Sequence, residues 1–486
     1  MNIVRRIIGT VLIVAAGAGV IAIDRQGGAT QDGAASALVT LGGFPQAVAG
    51  SRISTSWFCP GAAAGDGLDA ATVVISNPSD VAITASLSLF SDAAAETQNI
   101  SIAPRDRLSV DVLRGRTVGV VVPAVEIIGG IGTVEQQLVY AAGDVTSQCV
   151  SQTSNAWYFA DGFTAEGSSQ RIVLTNPYPE SAVVNVSYTT AEGRRTPANL
   201  QGVILPALSA KSLSMSDVGA ANESQIAVEV IATTGQVIAS RMQHYIGGGR
   251  LGYSTTVGTP EALKDWWFTA GRTGSQVTEQ LVVFNPSEVE AQLNVAFFGE
   301  GITNGVIAET STAALPSEAV TIPAGGIVYI NTDNIADLPK GDHAMVVSTL
   351  NNSRVVVEHV LSQRTGGSSF TAITNGIPAG LVSTKWRIPS GLAKGARHAL
   401  SVLNTTATDG TFTVSAIGPG GLLDLPNLVN VPIAAASLIS LEVPEGVNEG
   451  EVVITATVDV AIHRRTTRGH GLVGFGIVGA LPVRGK

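Results

Sequence analysis

Apolar residues recur at every second position over short runs of this chain, without the three- and four-residue spacing of an amphipathic helix. The stretches around Val183 through Asn185-Val186-Ser187-Tyr188 and across Leu293, Val295 and Phe297 alternate in this way, as half-buried strands do. Denser β-branched runs end at Asn: Val73-Val74-Ile75-Ser76-Asn77, Ile172-Val173-Leu174-Thr175-Asn176, Leu281-Val282-Val283-Phe284-Asn285 and Leu400-Ser401-Val402-Leu403-Asn404. In the first three a Pro follows. Asn bonds nearby backbone in tight turns and Pro cannot donate to a ladder, so these residues stop strands.

These runs belong to a fourfold repeat. Each copy opens with Trp, at Trp57, Trp157, Trp266 and Trp386, and four of the five tryptophans stand at this one position. After the alternating segment come strands leading to Pro104, Pro206, Pro323 and Pro432, then strands ending near Asp111, Asp217, Asp333 and Glu442, then two more. Six or seven strands in about 100 residues predict an all-β chain of four tandem β-sandwich, immunoglobulin-like repeats over 51–152, 153–262, 263–380 and 381–486. A linear rod is the expected layout. A propeller-like arrangement of the four repeats is the alternative, disfavoured because 100 residues is long for one blade.

The N-terminus departs from this pattern. Arg5 and Arg6 precede an uncharged apolar stretch from Ile7 to Ile23. Its length approaches that of a spanning helix, and the arginines place the N-terminus in the cytoplasm. Residues 1–25 are therefore expected to form a transmembrane signal-anchor and 26–50 a flexible tether, with everything beyond exported. Secretion after cleavage near Ala15–Ala18 is the alternative.

Composition sharpens the picture. Apolar residues make up 45% and charged residues 14%, with 55 Gly and 21 Pro, which fits strands and turns rather than disorder. The net charge of −10 and the lack of a basic cluster exclude nucleic acid as the expected partner. Cys59 and Cys149 lie at corresponding ends of the first repeat. A disulfide between them would close a loop of about 90 residues and stabilise the unit by up to roughly 4 kcal/mol. Free thiols or half of a metal site are the weaker readings.

The Trp-aromatic opening, the β-runs ending in Asn-Pro, the cysteine pair and the N-terminal anchor resemble an uncharacterised actinobacterial envelope family, domain-of-unknown-function family 5719. The resemblance covers most of the chain from Trp57 onward. It implies a membrane-associated, exported protein and carries no activity or catalytic residues.

Candidate chemistry is sparse. Trp57, Trp157, Trp266 and Trp386 are expected in the repeat cores, with Phe159, Phe268 and Ile388 on the same side. Tyr158 and Trp267 then point the other way and are the candidate surface-binding aromatics for a glycan; a contact between units is the structural alternative. Asp111, Asp217 and Asp333 read as turn caps rather than cation ligands. His244, His359 and His463 occur one per repeat, so they read as solvated strand residues and no metal or cofactor is expected. The expectation is a non-catalytic, membrane-anchored scaffold of the cell envelope for a protein or glycan partner. The alternative is an enzyme, or enzyme subunit, acting on envelope polysaccharide.

Overall fold

The computed structural model describes residues 41–484 apart from 49–52, 66, 130, 141–142, 304–305, 308–319, 336–337, 366–367, 392–395, 444–449 and 469–475. The expected membrane helix, 1–25, lies outside them. Among the described residues no helix is long and apolar enough to cross a membrane.

Repeat 2 shows the unit. Besides the short Gly193–Arg195, which pairs with the end of the third strand, its strands are β1 (Ala156–Phe159), β2 (Ser169–Asn176), β3 (Ala182–Thr190), β4 (Val203–Leu205), β5 (Ser209–Ser214), β6 (Ala227–Thr234), β7 (Ile238–Tyr245) and β8 (Gly252–Val257). They pair antiparallel in two sheets, β1-β6-β3-β4 and β8-β7-β2-β5. Between the sheets lie Trp157, Phe159, Leu174, Val186 and Val230, all fully buried. The same order recurs in the other repeats; in repeat 4 the counterparts of β6 and β7 run together as Val452–Arg468, which joins both sheets into one ten-stranded sheet.

The Asn that ends β2 is a staple between two turns. Asn176 Nδ2 donates to the carbonyls of Glu180, Leu205 and Pro206, and its Oδ1 accepts from Tyr178 N–H. Asn77, Asn285 and Asn404 do the same in their repeats. A single carboxamide thereby satisfies carbonyls that the ends of β2 and β4 leave unpaired.

The eighth strand was not legible. Gly or Ser opens each copy and interrupts the apolar alternation, and Gly is depleted in strands. The eighth strand forms the innermost strand of each repeat, at Gly143–Gln148, Gly252–Val257, Ser368–Asn375 and Gly476–Gly479. These four strands pack against one another in the order 1–2–3–4–1. Ser147 Oγ donates to Thr255 O at 2.5 Å, Asn375 Nδ2 to Val257 O at 3.0 Å and Gln148 Nε2 to Gly479 O at 2.8 Å. The sandwiches therefore close into a propeller-like ring, and the expected linear rod is not formed. The outward face of one sandwich is covered by the next: Phe90, Val122 and Ala124 of repeat 1 meet Val173, Ala210 and Met242 of repeat 2. Such apolar outer faces cannot be left to water in a rod.

Residues 41–48 correct the expected tether. Leu41–Gly43 form a 3₁₀ turn, and Ala47–Val48 add a parallel strand beside Leu481–Arg484 of repeat 4. On the way the segment crosses the face where the inter-repeat linkers converge. Gly42 abuts Gln152 and Gly43 abuts Pro260, so closely that a Cβ on Gly42 would overlap the Gln152 side chain. Phe44 packs edge-on to Trp266 with ring centroids 5.9 Å apart. The start of the described chain thus touches all four repeats and ties repeat 1 to repeat 4.

Candidate functional site

Each boundary of the ring is keyed by one position on the seventh strand. Glu135, Ser240, Glu358 and His463 occupy it in repeats 1 to 4, two residues past the pairing partner of the residue before the stapling Asn. Each reaches the backbone three or four residues past the opening Trp of the preceding repeat. Ser240 Oγ donates to Pro60 O, Glu358 accepts from Asp161 N–H, His463 Nδ1 accepts from Thr269 N–H, and Glu135 accepts from Ser390 N–H. The last of these closes repeat 1 onto repeat 4.

Two boundaries add buried ion pairs. Arg241 of repeat 2 lies 2.7 Å from Glu358 of repeat 3, and Arg464 of repeat 4 lies 2.6 Å from Glu135 of repeat 1. The 1–2 boundary uses a hydroxyl, and 3–4 joins its imidazole to a partly buried pair between Arg465 of repeat 4 and Asp342 of repeat 3. At 2–3 the Arg250 guanidinium binds Asp161, which also accepts from the Tyr245 and Tyr329 hydroxyls. Burial would raise the Asp161 carboxyl, but Arg250 and Arg241 hold it below its ordinary range. Burial pushes Glu358 up despite its arginine, and pushes His463 down to about 3, so that its imidazole stays neutral. Within repeat 3, Glu279 lies between His343 and His359 at 2.8 and 2.7 Å; those two rings outweigh burial and hold its carboxyl well below the usual range.

The boundary groups are spent on joining repeats; the open feature is a cleft. It has a volume of about 940 Å³ and lies on the linker face, beside Gly43, between repeats 1 and 2 and onward to repeat 3. One wall is the outer face of repeat 1, where Ser56 and Ser86 flank Glu126 on neighbouring strands and Ser88 follows. The other carries Tyr178, Gln236 and the linker 151–156. Tyr158 stands in its lining near Pro260 and Glu261. Burial, helped by Glu229 and Glu261, pushes the Tyr158 hydroxyl up to about 12 and keeps it a neutral donor.

Trp57, Trp157, Trp266 and Trp386 are fully buried in their repeats, and Cys59 and Cys149 form a disulfide. That bond fits an oxidising, extracytoplasmic compartment. Trp267 is a correction: it is only 7% exposed and packs in the joint core of repeats 3 and 4. Alternation does turn it outward from its own sandwich, but outward is the next repeat. The same holds for His359 and His463, each 1% exposed, which are not solvated. Asp111 caps its turn, accepting from the N–H groups of Leu113 and Arg114. Among the described residues no three His, Cys, Asp or Glu side chains are grouped to hold a metal. Sequence reasoning missed Tyr178, whose signal was a Tyr directly after the Asn-Pro stop in repeat 2 alone.

The chain belongs to the family of unknown function DUF5719, which it matches over residues 131–250 and 256–482. No curated protein matches it. Among solved structures, a Thermotoga maritima protein (1070) is 15% identical and aligns over 23% of this chain and 97% of its own, with a TM-score of 0.20. A biofilm-associated protein BSP domain is 7% identical over 90% of this chain and 97% of its own, with a TM-score of 0.14. A tetra-tandem repeat from the extending region of a large adhesion protein is 12% identical over 83% and 93%, with a TM-score of 0.11. Scores this low carry no argument about this chain.

Proposed function

We propose that the protein is a non-catalytic extracytoplasmic scaffold, held at the membrane by residues 1–25, that presents the linker-face cleft to a partner in the cell envelope. The cleft is the observation that carries this reading. Its wall in repeat 1 is continuous with the face that repeat 2 covers; Phe90 and Ala124 reach into it, and beyond them it adds Ser56, Ser86 and Ser88. Packing the ring does not require hydroxyls at an open surface, whereas polar recognition does. Residues 41–44 run along the same face.

The test immobilises the full chain in detergent and exposes it to fractionated envelope glycans and membrane proteins. The scaffold reading expects a specific fraction to be retained chemically unchanged, and to be lost with Ser88→Trp, which fills the cleft. Conversion of the retained material would instead show catalysis; loss of that turnover in Glu126→Gln or Glu261→Gln would locate it here.

A further inference from the structure

We propose that the cleft binds an extended chain of neutral sugars, with Tyr178 and Tyr158 as ring platforms and the Ser56, Ser86 and Ser88 hydroxyls as its polar wall. The inference rests on the binding reading above and names its ligand class. Tyr178 is 40% exposed, yet it is held: its hydroxyl lies 2.7 Å from Thr153 Oγ1, which in turn donates to Gln236 Oε1 at 2.9 Å. An aromatic ring fixed by its polar end and left open on its face offers apolar area at little entropic cost. Facing it are hydroxyl groups and the carboxamides of Gln152 and Asn155, which both donate and accept, as sugar hydroxyls require.

Charge narrows the class. The charged groups of the lining are Glu126, Glu261 and Arg354, and the last two are paired with each other. No unpaired cation in the lining awaits a phosphate, sulfate or carboxylate, while Glu126 repels one. Length comes from the course of the cleft, which passes the 151–156 linker and reaches Pro260–Ala262, so that Tyr178 and Tyr158 serve separate residues of one chain.

Isothermal titration of the full chain in detergent micelles would use cellohexaose, maltohexaose and mannohexaose, with a sulfated hexasaccharide and an uncharged unstructured peptide as contrasts. At least one neutral hexasaccharide is expected to bind, with Tyr178→Ala about tenfold weaker and Tyr178→Phe within about threefold of the parent. Thermal unfolding of each variant shows whether it is folded, and Ser88→Trp must independently remove binding. The inference is overturned if none of the three sugars binds at about 10 mM, if the sulfated sugar binds as well as the neutral one, or if Tyr178→Ala and Ser88→Trp leave binding intact. Peptide binding lost in Ser88→Trp, with no sugar bound, overturns the sugar class and keeps the scaffold. Retention of no envelope fraction at all would remove both.

Discussion

Replacing Arg241 by Met at the boundary of repeats 2 and 3 should cost far more than any surface ion pair. Arg241 and Glu358 have no exposed side-chain area and lie 2.7 Å apart. The guanidinium also donates to Asp161 O and to Thr256 Oγ1. Met keeps the apolar length of the side chain, so the chief loss is charge. Glu358 is then left buried with the Asp161 N–H as its donor and the Asp161 carboxylate nearby. Breaking a buried pair from one side costs about 3–5 kcal/mol, against at most about 1 for an exposed pair such as Arg354–Glu261. Removing both charges in Arg241→Met/Glu358→Met should cost much less than the sum of the single changes, because no orphaned ion remains. Urea unfolding followed by tryptophan fluorescence, compared at equal m-values, gives the cycle. A loss under about 1 kcal/mol for Arg241→Met, or a double variant equal to the sum of the singles, would refute the reasoning.

Further outcomes follow from the same contacts. His463 is neutral in the fold, with its ring pushed down to about 3 from an ordinary 6.5, so the unfolded chain takes up the proton first as pH falls. Stability should therefore drop by about 1.4 kcal/mol per pH unit below about pH 6, and His463→Asn should flatten that slope between pH 6 and 5. Glu279, whose carboxyl is held low, adds to acid sensitivity only below its unfolded value of 4.5. Asn176→Ala leaves the carbonyls of Glu180, Leu205 and Pro206 without their donor and should cost about 1–3 kcal/mol, read from the shift in urea midpoint. Replacing Cys59 and Cys149 by Ala frees a loop of 90 residues and should cost up to about 4 kcal/mol in the same assay.

The residues that explain themselves locally were legible in the sequence. The tryptophans and the stapling asparagines are the same residue in the same chemical role in every repeat, and the two cysteines have only each other to pair with. The ring was not legible, because its keys differ in kind: Glu135, Ser240, Glu358 and His463 share a position but no side-chain chemistry. On a strand, each reads as an ordinary solvent-facing polar residue, and so do Arg241 and Arg464. Trp267 was misread for the same reason. Alternation tells which side of its own sheet a residue faces, and not whether another sandwich lies there. The cleft was half legible: Tyr158 was singled out, whereas Tyr178 and the serine wall acquire meaning only when repeats 1 and 2 diverge beside them.

Ring closure is best tested by a distance between repeats 1 and 4. The Arg105 side chain reaches Pro419 O at 3.4 Å, across 314 residues of sequence. Both native cysteines are bonded, so spin labels on Pro104→Cys and Gly420→Cys would be the only ones attached. A closed ring puts the two labels within about 20–25 Å of each other, allowing for their linkers. An open array of sandwiches, with strands mostly of five to ten residues at about 3.3 Å each, separates them by the intervening repeats, on the order of 50 Å or more. A single short distance by pulsed dipolar spectroscopy is the expected result; a long or broad distribution would contradict the ring.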